Sequence, residues 1–272
     1  MMYKADLHTH TNASDGQYSP AEVVRKAKEA GIEYLAVTDH DTIDGLPEAM
    51  ETGREYGLTV ISGIELGAKE DRHMHILGYA FRPDDKALQA LCRKLRQGRD
   101  ERKYRIIEFL KSKGISLSLE EVEQTAGGSV IARPHFARVM LRHGYVNSMR
   151  EAFDRYLDTE EYQAIERYKA DAATCIQIIH QAGGKAVLAH PYQLNLSDVA
   201  LERTVADLKT AGLDGLECFY PQHTRQMEEH YLALARKFSL CVTGGSDFHG
   251  EKVHVDRPLR PISLEIGWLL QA

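Results

Sequence analysis

Residues 34–41 read Tyr34-Leu35-Ala36-Val37-Thr38-Asp39-His40-Asp41, an apolar run followed at once by a histidine between two aspartates. A short apolar run without polar alternation is what a strand buried on both faces requires, as in a parallel sheet covered by helices. Helix signals flank it. Upstream, Ser19-Pro20-Ala21-Glu22 is a capping box with proline at the first helical position, and Gly31 ends that helix. Downstream, a helical pattern over about 43–56 stops at Gly57. Helix, buried strand and helix make one unit of an α/β fold. The polar residues just past the strand stand on the edge where such folds build their sites.

The pattern repeats outward in both directions. Residues 3–7, 59–66 and 74–81 read as strands, and so do 186–189, 215–220 and 239–244. Helices are expected over 172–181, ending at Gly183-Gly184, and over 198–210 and 224–238. Such alternation predicts a parallel sheet with helical crossovers, closed as a barrel or doubly wound. Between the two runs the chain changes character. Leu88, Leu91, Leu95, Ile106, Phe109 and Leu110 fall at helical spacing, 133–143 and 149–157 suit helices, and no strand signal intervenes. The expected division is therefore 1–82 as the first part of the α/β body, 83–171 as an inserted helical cap, and 172–272 as the second part.

Composition narrows the classes. The 272 residues are 43% hydrophobic and carry a formal charge of −6, which supports a globular core and argues against a broad nucleic-acid or membrane surface. The basic run from Arg93 to Arg105 is interleaved with Asp100 and Glu101 and reads as a solvated helix face. No stretch approaches the ~20 apolar residues of a membrane span, and the N-terminus lacks a leader's apolar segment. Cys92, Cys175, Cys218 and Cys241 are scattered without CxxC spacing, which fits reduced thiols in a cytoplasmic protein.

The chemistry lies in the placement of histidines. His8, His10, His40, His75, His190 and His249 all fall at or just past an expected strand end, joined there by Asp15, Glu65 and Asp247. In His8-Thr9-His10 the two imidazoles share one side of an extended segment. One such pair is ordinary. Here it recurs with Asp15 beyond it, with Thr38-Asp39-His40-Asp41, with Ala189-His190-Pro191 and with Gly245-Ser246-Asp247-Phe248-His249. Imidazole and carboxylate together suit zinc, manganese or iron. The set exceeds one ion's needs, and Glu65, with two oxygens, is a natural bridge. Two ions ~3.5–4 Å apart can activate water and stabilise both the entering and the leaving oxygen of a phosphoryl group. His143, His180, His230 and His254 are not expected to be ligands.

These motifs, in this order, resemble the PHP family, the "polymerase and histidinol phosphatase" metallohydrolases. The resemblance covers roughly residues 3–80 and 172–250. It implies a distorted (β/α)7 barrel, with the inserted α-helical cap, and a site at the strand C-terminal ends. It implies three metal positions: His8, His10, Glu65 and Asp247; Glu65, His75 and His190; and Asp15, His40 and His249. His75 is preferred to His73 because His75-Ile76-Leu77-Gly78-Tyr79 resembles the family's strand, although spacing leaves both open. The helical insert resembles the cap of nucleotide phosphatases and of the enzyme hydrolysing nucleoside 3′,5′-bisphosphates. It implies phosphate contacts from Arg133 and His135 in Arg133-Pro134-His135-Phe136, with His223 as a further candidate. Tyr192, after His190-Pro191, departs from relatives that carry arginine or a small residue there.

The expected function is a metal-dependent phosphoesterase hydrolysing a phosphate monoester of a small nucleotide, a nucleoside 3′,5′-bisphosphate or a 5′-mononucleotide, by attack of metal-bound hydroxide. The cofactor is two or three divalent ions, manganese foremost and iron or zinc as alternatives. Three such ions outweigh Asp15, Glu65 and Asp247 and leave a positive site for an anionic substrate. Alternative activities are a 5′→3′ exonuclease on short RNA or DNA, a cyclic sugar-phosphate phosphodiesterase and a histidinol phosphatase. A non-catalytic metal-binding module is the rival class, disfavoured because every ligand position is filled. Expected partners are a small phosphorylated substrate and short oligonucleotides, with no membrane and no obligate protein partner. The apolar tail after Pro258 is expected to pack on the barrel or on a partner.

Overall fold

The capping box at residue 19 forms in full: the Ser19 hydroxyl accepts from the Glu22 amide, and the Glu22 carboxylate accepts from the Ser19 amide. It starts α1 (Pro20–Glu29), which leads into β2 (Tyr34–Val37). The computed structural model describes residues 1–126, 131 and 133–270. Around this first unit lie β1 (Tyr3–Thr9), α2 (Leu46–Tyr56), β3 (Thr59–Gly67) and β4 (His75–Tyr79). The helical stretch follows as α3 (Lys86–Ser112), α4 (Leu119–Ala126), α5 (Arg133–Arg142), α6 (Met149–Ala152), a π-turn (Phe153–Leu157) and α7 (Glu160–Gln163). Alternation then resumes with α8 (Ala172–Gln181), β5 (Lys185–Leu188), a 3-10 turn (Pro191–Leu194), α9 (Asp198–Thr210), β6 (Gly215–Phe219), α10 (Arg225–Lys237), β7 (Cys241–Gly244) and β8 (Ile262–Leu264). The chain forms two compact units, residues 1–92 with 169–272 and residues 93–168, the division falling within α3.

The strands form one eight-stranded sheet in the order β7-β6-β5-β4-β3-β2-β1-β8. Two features differ from the all-parallel sheet expected. β4 runs antiparallel to both β3 and β5, because the seven residues between β3 and β4 are too few for a helical crossover. The eighth strand, β8, pairs antiparallel with the first half of β1, Tyr3 facing Leu264 and Ala5 facing Ile262. The second half of β1 meets the segment after β7 instead. The His10 amide donates to the Phe248 carbonyl and the Asp247 amide to the His8 carbonyl, each at 2.8 Å. The sheet thereby nearly closes into a barrel.

The closure depends on Gly245. A Cβ there would lie 2.2 Å from the His8 Cβ and 2.5 Å from the His8 nitrogen. Inside the barrel, Leu7, Ile61, Leu77, Tyr79, Val187 and Leu264 belong to one buried cluster that only the interior can assemble, since its members come from five separate strands. Ile266 and Leu269 of the tail join the same cluster, so the tail packs on the barrel. On the outer face, Gly78 lets Ile179 of α8 approach β4 closely. The second unit has its own core, built on Ile106, Leu110, Phe136, Met140 and Leu157.

Candidate metal centre

Six of the eight strands, β1 to β5 and β7, hold or lead directly to ligand-type residues on the same rim, and Glu65 stands at the middle. This carboxylate is 1% exposed, so it must be compensated by charge or hydrogen bonds. Its Oε2 lies 3.3 Å from His8 Nε2, 3.2 Å from His10 Nε2 and 3.0 Å from His40 Nδ1. Its Oε1 lies 2.6 Å from His75 Nδ1 and 3.0 Å from His190 Nε2. Asp247 closes one side, with Oδ1 3.5 Å from His8 Nε2 and 3.2 Å from His10 Nε2. Asp15 closes the other, 3.3 Å from His249 Nε2 and 3.7 Å from His40 Nε2. All nine ligand-type residues singled out in the sequence meet here. His75 is the one facing Glu65, whereas His73 accepts from the Arg72 guanidinium at 2.7 Å.

The donor set fits divalent cations. Three overlapping groups have their ligand atoms within 4.8 Å of one another: His10, Asp15, His40 and His249; His8, His10 and Glu65; and His40, Glu65 and His75. His8 Nε2, both nitrogens of His10, Glu65 Oε2 and His190 Nδ1 are buried without a hydrogen-bond partner among the described residues. That many orphaned donors in one place is costly unless an ion satisfies them. His190 and Asp247 also hold positive φ, at 24° and 51°. Backbone of this kind is strained for residues other than glycine and gathers at functional sites.

Burial and charge divide the histidines. Burial pulls His75 down to about 4, against the attraction of Glu65, so it stands neutral and ready to ligate at neutral pH. Burial also opposes charge on His249, but Asp15 and Asp247 outweigh it and lift this histidine to about 9. A protonated His249 must lose its proton before it can ligate. Cation uptake at this corner is therefore expected to release a proton below pH 9. Apparent affinity should rise by up to ~10-fold per pH unit toward that value and then level off. Titrating the metal at fixed pH values between 6 and 9.5 checks this; a flat profile removes His249 from the ligand set.

Against this geometry the comparisons are direct. The PHP domain pattern matches residues 6–184. The chain belongs to the PHP domain family. It is 35% identical over 250 residues to a 5′-3′ exoribonuclease of Haemophilus influenzae, covering 92% of this chain and 91% of that protein. It is 32% identical over 278 residues to a 3′,5′-nucleoside bisphosphate phosphatase of Chromobacterium violaceum, covering 100% of this chain and 98% of the other. Among solved structures, a metal-dependent phosphoesterase of Bifidobacterium adolescentis superposes with a TM-score of 0.78 at 29% identity, covering 98% of this chain and 94% of that one. This PHP protein is accordingly an enzyme, a metal-dependent phosphoesterase.

Several buried groups of the PHP centre went unmarked in the sequence reading. Glu217 of β6 is fully buried. Its Oε1 lies 2.9 Å from His8 Nδ1 and its Oε2 accepts from the His190 amide at 2.7 Å. It thereby directs His8 Nε2 toward Glu65. Glu217→Gln keeps the size but loses the charge and one acceptor. A fall of about 10–100-fold in metal affinity is expected, read by calorimetry; unchanged affinity would make Glu217 a packing residue only. Asp39 accepts from the Thr11 amide and hydroxyl and from Ser14, which fixes the loop leading to Asp15. Asp6, raised to about 6 by burial, accepts from the Ser246 amide at 2.8 Å and so ties β1 to the Asp247 segment. Tyr220 donates to Asp247 Oδ2 at 2.6 Å, and Arg257 contacts the same oxygen. The available signal was a carboxylate inside an apolar strand, as in Gly215-Leu216-Glu217-Cys218-Phe219.

The three phosphate-contact candidates are placed differently. His223 is buried; its Nδ1 bonds the Cys218 carbonyl at 2.9 Å, and its Nε2 has no hydrogen-bond partner among the described residues. Its ring centroid is 5.2 Å from that of Tyr220, whose own ring lies 5.6 Å from His190. Arg133 and His135 open α5 in the other unit, where Arg133 forms an ion pair with Asp158. Among the described residues no helix is long and apolar enough to cross a membrane.

Proposed function

We propose that this enzyme hydrolyses a phosphate monoester of a small nucleotide, with a nucleoside 3′,5′-bisphosphate as the leading substrate and a 5′-mononucleotide as the next. The observation that carries the reading is the full-length match, helical insert included, to a bisphosphate phosphatase. When bound, two or three divalent ions, manganese foremost and iron or zinc as alternatives, supply Lewis acidity toward the phosphoryl oxygens and lower the pKa of water. The chain's own residues do the rest. Glu65 spaces five imidazoles around one point, so that its two oxygens can serve neighbouring positions. Asp247 and Asp15 supply the balancing negative charge on opposite sides.

His223 is assigned to the phosphate or the leaving oxygen, because its Nε2 is buried without a hydrogen-bond partner among the described residues. Arg133 and His135 keep a phosphate role on the strength of the sequence pattern alone. Since Arg133 has Asp158 as a partner, Arg133→Ala tests the point: a KM raised about 10-fold with kcat held supports it, and an unchanged KM reduces Arg133 to an ion pair within its unit. The four free cysteines agree with a cytoplasmic setting.

A second reading, a 5′→3′ exonuclease on short RNA, is favoured by the slightly higher identity to an exoribonuclease. Phosphate release from manganese-loaded protein separates the two. Adenosine 3′,5′-bisphosphate, AMP, a short 5′-phosphorylated RNA and histidinol phosphate are compared side by side. Strong turnover of the bisphosphate is expected, abolished by a chelator and restored by manganese. Turnover of the RNA alone would select the second reading, and silence on all four would reject both.

A further inference from the structure

Arg257 stands in the connection from β7 to β8, and its guanidinium turns to the metal centre rather than to solvent. Only 11% of this side chain is exposed, and its Nε is buried without a hydrogen-bond partner among the described residues. A cation so far from water is costly unless an anion offsets it. Among the described residues its ion-pair partner is Asp247, through Oδ2. The other oxygen of Asp247 faces the centre. Oδ1 lies 3.5 Å from His8 Nε2, 3.2 Å from His10 Nε2 and 3.5 Å from His249 Nδ1. One ligand-type carboxylate is thus shared between the centre and a fixed positive charge.

Holding Asp247 in place does not call for that charge. Tyr220 already donates to Oδ2 at 2.6 Å. Burial, and then the charge of Asp247, push this phenol well above its usual range, so it stays a neutral donor. Fastening the connection does not call for it either. The Lys252 amide donates to Gln17 Oε1 at 2.9 Å, and the Tyr18 hydroxyl donates to Glu251 at 2.6 Å. What the guanidinium adds is positive charge on one ligand. It is held there from two further sides: a terminal nitrogen donates to Gln222 Oε1 at 3.2 Å, and Cζ lies 5.4 Å from the centre of the Tyr220 ring. The ion pairs of Asp15 and Glu65, by contrast, run to histidines alone among the described residues.

A carboxylate whose charge is partly drawn away by a cation is a weaker donor. A divalent ion beside it is bound less tightly, and keeps more of its own charge for an anionic ester. We propose that Arg257 is a positioning residue that acts through Asp247. It keeps Oδ1 alone turned to the metal centre and lowers the negative charge there, so that cation affinity is reduced and the pull on a phosphate ester is increased. The inference rests on the metal-dependent phosphoesterase assignment and not on the nucleotide substrate proposed above.

The test compares the full-length wild type with Arg257→Met, which removes the charge at similar length, and Arg257→Lys, which restores it without the fork. Manganese affinity is measured by calorimetry at pH 7. Values of kcat and KM are measured on the ester turned over fastest in the four-substrate comparison, or on p-nitrophenyl phosphate if all four are silent. The affinity measurement needs no substrate, so it stands even where the nucleotide reading fails. Arg257→Met is expected to bind manganese about 3–10-fold more tightly while kcat falls about 10-fold or more and KM rises. Arg257→Lys is expected to recover both affinity and kcat to within about threefold of wild type. A residue that only braces the fold would lower affinity and kcat together. That result overturns the proposal, as do unchanged affinity, tighter binding with kcat unaltered, and a lysine variant that behaves like the methionine one. Should Arg257→Met fail to fold, Arg257→Gln makes the same change of charge with a polar group and is read by the same criteria.

Discussion

Glu65→Ala is expected to lower phosphoesterase turnover by at least ~10³-fold and to strip bound metal from the protein. Changing a residue that merely orients a ligand costs about 10–100-fold, and Glu65 is more central than that. Its two oxygens lie within 3.3 Å of five imidazole nitrogens drawn from β1, β4 and the ends of β2 and β5. Without the carboxylate, five imidazoles, three of them buried, would lose the one anion they share. Burial opposes charge on Glu65, yet His40, His75 and His8 outweigh it and hold its carboxyl well below the usual range. The group is thus an anion at every working pH. Metal content per chain and kcat on the preferred ester are the measurements, with circular dichroism to confirm the fold. A variant that kept its metal and lost less than threefold in rate would remove Glu65 from the centre and undermine the bridging geometry.

Gly245→Ala is expected to destabilise the barrel by about 3–5 kcal/mol, the upper range for a single substitution. For a domain of this size that corresponds to a fall in Tm of roughly 10 °C. The added Cβ would sit 2.2 Å from His8 Cβ and 2.8 Å from His8 Cα. These atoms belong to or adjoin the backbone of β1, so no side chain can swing aside to make room. The same contact joins β1 to the Asp247 segment, and metal binding should weaken together with stability. Gly31→Ala is the control. Gly31 has a φ of +78° and nothing within 4 Å of the added Cβ, so its cost is conformational only, about 1–2 kcal/mol. Thermal melts of both variants decide the matter. Equal losses would show that the approach of Gly245 to His8 does not hold the barrel closed.

Much of this enzyme was legible from local pattern. Most ligand-type residues stand at or near the end of an apolar run, where a buried strand gives way to polar side chains at the rim. His40 after Val37 and His190 after Leu188 are thus marked by their own neighbours. The capping box at Ser19 and the helical run from Lys86 are equally local, set by side-chain bonds and spacing within a few residues.

What tertiary structure alone decided were relations between distant segments. His73 and His75 point the same way in an extended chain; the β3–β4 register, pairing His75 with Gly67, brings His75 to Glu65. The antiparallel course of β4 follows from a short connection, and its pairing with β5 joins segments on either side of the helical stretch. β8 is three residues long, too short for periodicity to mark, and exists because the first half of β1 offers an unpaired edge. Glu217 and Arg257 read as ordinary charged residues because their partners lie 27 or 209 and 10 positions away. Sequence by itself determined which residues could ligate, since that depends on side-chain chemistry and local burial. The fold determined which of them meet and what holds them there, since hydrogen bonds and charge act through space, without regard to position along the chain.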